Sequence, residues 1–230
     1  QGALTILTVI FNVAVFAIGF WKAGDTSNVL EMCSRLVILF AVITLVGLNG
    51  IHKKTWAALF TTLIVLVMIM GIFDVVIHHA EDLDYSTMEY LGSIENPDEI
   101  FHAEILISGL GAIMDVAVAI AASLSEIVEK KPKVTFLELF KSGREIGYDI
   151  MGTMINVLLF VFGCGLIPMC LIRMNNDVSL ITIIKLHIPC ELCRFLVESI
   201  GIVLAIPISI LVTSVMIKVP GMFHRQKKAR

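Results

Sequence analysis

Asp115 is the ionisable residue whose setting says most about chemistry. It stands between the uncharged runs Ile105 to Met114 and Val116 to Ser125. A lone carboxylate in such surroundings is costly, so it must be protonated, paired or turned toward a polar space. Gly109, Gly111, Ala112, Ala117, Ala119, Ala121 and Ala122 give its segment small side chains suited to close helix contact. Two readings stay open for Asp115: an exchangeable site that couples a proton, an ion or a substrate, and a helix-to-helix hydrogen bond. Thr153 and Asn156 supply polar groups in a later apolar run. They either face Asp115 or bond to their own backbone.

Asp74 and His78 lie four residues apart, on one face of a helix, with His79 beside them. Histidine titrates near neutral pH, so Asp74 and His78 are candidates for a proton relay, or for a polar cap near the headgroups. With His102 they have the residue types of a zinc set, but no motif spacing fixes one, and neither metal nor cofactor is expected. Glu198 begins a late apolar run and is read as an outer entrance or a snorkelling acid. Cys190 and Cys193 form a single Cys-x-x-Cys, either a redox pair or two small apolar side chains. Glu126, Arg144, Glu145 and Asp149 are candidates for a charge network at the other end. Phosphate-binding glycine loops, Gly-x-Ser-x-Gly elbows and His-Glu-x-x-His signatures do not occur, so an enzyme is not expected.

The elements that position these groups follow from composition. The chain has 230 residues, 57% of them apolar and 16% charged, against about 45–50% and about 25% in soluble domains. Such a chain has too few charges to cover its own core, and lipid is the expected outer solvent. A soluble enzyme, a nucleic-acid binder and a disordered chain are poor readings. About 20 apolar residues in a helix cross a bilayer's hydrocarbon layer of about 30 Å. Six spans are expected, at 1–21, 31–51, 55–79, 105–127, 150–172 and 195–217. They lack strand-like alternation, so the expected fold class is all-α, a polytopic membrane helical bundle in one domain. The first run is too long for a signal peptide, and a few residues are expected to precede Gln1.

Loop charges orient the spans. Lys53 and Lys54, the basic residues of 128–149, and the tail from Lys218 to Arg230 all fall on one side. The loop 80–103 carries Glu81, Asp82, Asp84, Glu89, Glu95, Asp98 and Glu99 without Lys or Arg. The positive-inside rule puts both termini and the 128–149 loop in the cytoplasm, with the acidic loop outside. Within 128–149 the run Val134 to Phe140 suits a short amphipathic helix, and Lys185 to Arg194 suits a cap or brief re-entry before the last span.

Several blocks carry a resemblance: Gly50-Ile51-His52-Lys53-Lys54-Thr55, Gly109 to Ala117 around Asp115, Ser123 to Ile127, Gly143 to Asn156, and Glu191-Leu192-Cys193-Arg194. From Gly47 onward the chain resembles the bacterial YibE/F membrane-protein family, from which it departs at Glu198 and in its cysteine pair. The resemblance implies a multi-pass protein of the bacterial plasma (inner) membrane. It also implies the second, YibF-like half of a split pair, whose partner is a YibE-like membrane protein. Asp115, Glu126, the Lys130 to Arg144 connector, Thr153 and Asn156 also have a fainter likeness to the membrane halves of SecD/SecF and related exporters. The expectation is a proton- or ion-coupled, transporter-like subunit embedded in lipid, with a homo-oligomer also possible and no nucleic-acid partner. The rival expectations are a non-transporting scaffold that stabilises a partner and an intramembrane redox or hydrolytic enzyme using Cys190, Cys193 or His78. The topology is testable: alkaline phosphatase inserted at Glu89 should be active, and a fluorescent protein fused after Arg230 should glow. The reverse pattern contradicts the orientation.

Overall fold

The computed structural model describes residues 2–23, 29–79, 97–186 and 188–218. These form seven helices: α1 (Gly2–Ala23), α2 (Val29–Asn49), α3 (Lys53–His79), α4 (Pro97–Lys130), α5 (Phe136–Asn175), α6 (Leu180–Leu186) and α7 (Ile188–Lys218). All but α6 are long and apolar enough to cross a membrane. The observed class is all-α.

Local chemistry sets the helix ends. Gly50, at φ 69°, closes α2 where other residues are strained, and its N–H donates to the Val46 carbonyl at 2.9 Å. Thr135 starts α5 with a capping box: the Glu138 N–H donates to Thr135 Oγ1 at 3.3 Å, and the Thr135 N–H donates to Glu138 Oε2 at 2.9 Å. Lys131 adds an ion pair to Glu138 at 3.0 Å. Asp98 and Glu99 occupy the first turn of α4, where carboxylates favour the helix dipole.

These caps correct the expected loops. The segment expected as loop 128–149, with a short helix at Val134 to Phe140, is instead a tight link followed by the 40 continuous residues of α5. No proline follows the Thr135 cap until Pro168, and the helix continues through it. At the other end α4 begins at Pro97, inside the expected loop 80–103, while 80–96 lie outside the described residues. The re-entry considered for Lys185 to Arg194 resolves into the short α6 and the start of α7, with Pro189 in its first turn where no helical N–H is lost.

The core centres on α4, which packs against α2, α3, α5 and α7. Ile105, Ile113, Val116, Ala117, Ile120 and Leu124 are among its fully buried side chains. Glycines set how closely its neighbours approach. A Cβ on Gly201 of α7 would stand 3.1 Å from Ile113 and 3.2 Å from Ile69, and one on Gly109 of α4 would stand 3.3 Å from Ile69. On α5, a Cβ at Gly143 would lie 2.7 Å from Ile210, and one at Gly147 2.4 Å from Ile206 Cγ2. Lipid gives little hydrophobic drive between helices, so this close packing supplies much of the association. Helix α1 rests on α2, pinned where Asn12 donates to Thr44 Oγ1 at 2.8 Å.

The helices share two ends. One carries Lys53, Lys54, the α4–α5 link and the last turns of α7; the other carries Asp74, His102 and the first turns of α7. They are called the basic end and the acidic end below. Gly147→Ala should cost about 1–3 kcal/mol by overpacking against the β-branched Ile206. A lowered melting midpoint in detergent, partly restored by adding Ile206→Val, checks it.

Candidate functional site

Toward the acidic end, α4, α5 and α7 line a half-open cavity of about 290 Å³. Its polar lining is Glu104 and Ser108 from α4, and Glu191, Arg194 and Glu198 from α7; Leu158, Phe162 and Phe195 contribute to its apolar wall. Helix spacing makes the cluster. Glu104 and Ser108 are one turn apart on α4, and Glu191, Arg194 and Glu198 are three and four apart on α7, so each set shares a face. The helices run parallel here, and the two faces meet rung by rung.

In the first rung, the Arg194 guanidinium donates through Nη1 to Glu104 Oε1, and through Nη2 to Glu191 Oε2 at 2.5 Å. In the second, the Ser108 hydroxyl meets Glu198 Oε1 and also lies 2.8 Å from the Glu104 carbonyl oxygen of its own helix. Glu198 is only 6% exposed. It is therefore buried in the bundle and does not snorkel to the surface. Its partner is a neutral hydroxyl, whereas the other two carboxylates are bound by the cation. The arrangement can hold charge in an apolar bundle and offers a pocket beside it.

Asp115 is placed differently. Its side chain is exposed on the outer surface of α4, with no hydrogen-bond or ion-pair partner among the described residues. Gly111, one turn away, has open space where a Cβ would be. Leu124 stands against Gly143, and the cavity holds Ser108 with Leu158, so the antiparallel register puts Asp115 level with Gly152 of α5. Thr153 and Asn156 are close in height but turn to their own helix. Thr153 Oγ1 donates to the Ile150 carbonyl and Asn156 Nδ2 to the Gly152 carbonyl, each at 2.8 Å. The structure does not join them to Asp115. From Tyr148 to Asn175, no side chain of α5 is fully buried.

Asp74 pairs across helices and not with His78. His102 Nε2 meets Asp74 Oδ1 at 2.8 Å, while His102 Nδ1 lies 2.6 Å from the Asp98 carbonyl oxygen. The Phe73 ring packs edge-on against His102, with centroids 4.7 Å apart. His78 lines an open hollow with Asp74, Val75 and Ile77; the His79 side chain lies outside the described residues. No group of three or more His, Cys, Asp or Glu among the described residues is placed to hold a metal. No disulfide joins Cys190 and Cys193, which lie in the first turns of α7.

At the basic end the expected network is not joined. Glu126 pairs with Lys130 at 2.6 Å, and Arg144 lies 6.0 Å from the centre of the Tyr148 ring. Glu145 and Asp149 are exposed.

The family model described as YibE/F-like protein matches residues 1–219. The chain belongs to the YibE/F family. No curated protein and no solved structure matches it, and the likeness to SecD/SecF finds no structural support. Sequence reasoning named Glu198 but missed its setting. Glu104, Ser108, Glu191 and Arg194 were readable only as two helical faces of polar residues bordering spans four and six.

Proposed function

We propose that the chain is a proton- or ion-coupled, transporter-like subunit, and that Glu198 with Ser108, Arg194, Glu104 and Glu191 is its coupling centre. The observation that carries this reading is a buried Glu198 bound by a neutral hydroxyl, beside an arginine already bound by two other acids. Glu198 can gain or lose a proton, or exchange it for a monovalent cation, without breaking the Arg194 ion pairs. Three carboxylates around one guanidinium carry a net charge of −2, so the cluster favours taking up positive charge. The reading includes no enzymatic step. It places the chain in the bacterial plasma membrane as a YibF-like half with both termini cytoplasmic, so that the cavity lies toward the outside.

A second reading is favoured by one observation. Asp115 sits mid-helix on an exposed face, beside an α5 with no buried side chain after Gly147. A carboxyl at that depth is costly against lipid. A YibE-like partner or a second copy would cover it, and the chain would then be a scaffold for that partner, with no transport of its own.

Two substitutions separate the readings. Glu198→Gln (E198Q) should leave the assembly intact. It should also remove about one proton per chain from the uptake that follows an acid pulse, read with an indicator dye. Uptake unchanged from wild type would remove Glu198 from the coupling role. Asp115→Asn should lower the recovery of the assembled complex if its face is the contact. Full recovery together with lost uptake would return the coupling role to Asp115.

A further inference from the structure

The cavity between α4, α5 and α7 keeps acceptors that its own contacts do not use. Arg194 takes one oxygen of Glu104 and one of Glu191, and Ser108 meets one oxygen of Glu198. Glu104 Oε2, Glu191 Oε1 and Glu198 Oε2 have no donor among the described residues. Glu198 is buried and lines the cavity, so its second oxygen has only that space from which to draw a donor. The rest of the wall is carbon, mainly Leu158, Val161 and Phe162 of α5 and Phe195 of α7. The rings of Phe162 and Phe195 have centroids 5.6 Å apart. Ser108 and Val161 are the exposed members of the lining, which puts the mouth between α4 and α5.

Charge and donor count select the occupant. An anion finds the guanidinium already taken by two acids and meets like charge. A bare metal ion needs several converging ligands, and no group of three or more His, Cys, Asp or Glu among the described residues is placed to hold one. A protonated primary amine brings three N–H donors, no acceptor and one positive charge, the complement of these oxygens. The carbon wall receives an apolar body, and a cation over the face of Phe162 or Phe195 gains further attraction. At about 290 Å³ the space is at the small end of ligand pockets, which run from about 300 to 1,000 Å³. The occupant is therefore small.

We infer that the cavity binds a small amphipathic cation, a protonated primary amine with an aromatic or short aliphatic body. Its ammonium sits against Glu198 Oε2 and its body against Leu158, Phe162 and Phe195. An amine that docks on protonated Glu198 takes the place of the carboxyl hydrogen, and that proton leaves to water. One cation enters as one proton departs, so the charge of the site is unchanged. This exchange rests on the coupling role proposed for Glu198 and names what the proton is exchanged for. A phosphatidylethanolamine headgroup carries the same ammonium, but its phosphate would be repelled by the three acids.

Calorimetric titration of the full chain in dodecyl maltoside with phenethylammonium, at fixed ionic strength, tests the site. One ion should bind per chain. Phenethyl alcohol and 3-phenylpropionate, which share its body, should bind about tenfold more weakly or worse. Methylammonium, which has the charge without the body, should also be weaker. Glu198→Gln should cost about tenfold, through loss of a hydrogen bond between charged partners. Val161→Trp, at an exposed position that accommodates a larger side chain, should close the mouth and abolish binding in a folded protein. Absent phenethylammonium binding, equal binding of the alcohol or of methylammonium, or binding indifferent to either substitution overturns the site. Loss of amine binding on adding phosphatidylethanolamine overturns the free amine in favour of the lipid headgroup. Titrations in buffers of different ionisation enthalpy should show protons released by wild type and none by Glu198→Gln. Binding that needs Glu198 but releases no proton overturns the coupling role alone. Proton uptake lost in Glu198→Gln, with no amine bound by wild type, overturns the amine alone.

Discussion

Arg194 of α7 holds Glu104 of α4 and Glu191 of its own helix, and one turn deeper the Ser108 hydroxyl meets Glu198. In water these contacts would compete with solvent and count for little. In a bundle whose outer solvent is lipid, each polar group needs a partner from the protein, so the rungs dictate which faces of α4 and α7 meet. The rest of the packing follows from that parallel contact. Ile113 comes to rest on Gly201, Ser209 reaches the Ala117 carbonyl, and Ile69 of α3 closes against both glycines.

This geometry divides the interior by depth. Carboxylates and one arginine lie toward the acidic end, an apolar layer of Ile69 and Ile113 follows, and hydroxyls lie toward the basic end. The periphery has a different logic. Helix α1 touches the bundle through α2, and α5 is gripped through Gly143 and Gly147 and the Phe162–Phe195 contact while much of its length stays uncovered. Asp115 opens onto that less covered side.

The sequence was informative about spans because length and hydropathy are local properties. Each of the six apolar runs is matched by a long helix; the run 31–51 outlasts α2, which Gly50 closes, and α5 exceeds its expected span where the cap of Thr135 with Glu138 extends it. Pairings between helices were much less legible. Asp74 looked toward His78, four residues on, yet it bonds to His102, because only folding brings α3 and α4 together. Thr153 and Asn156 share the depth of Asp115, but rotation about the α5 axis, which composition does not encode, turns them to their own carbonyls. Glu198 was visible as an acid in an apolar run, while Ser108, its partner, is an ordinary helix residue until α7 stands beside it. The faces Glu104 with Ser108, and Glu191 with Arg194 and Glu198, were the usable signal.

The central claim is that α4 and α7 are joined through charge inside the bundle. A double-mutant cycle on unfolding of the purified protein in detergent tests it most directly, using Glu104→Gln, Arg194→Gln and the two together. The account predicts that each single change lowers stability and that the double change costs less than their sum, with a coupling of about 0.5–3 kcal/mol. Additive costs, with no coupling between the two positions, would contradict it.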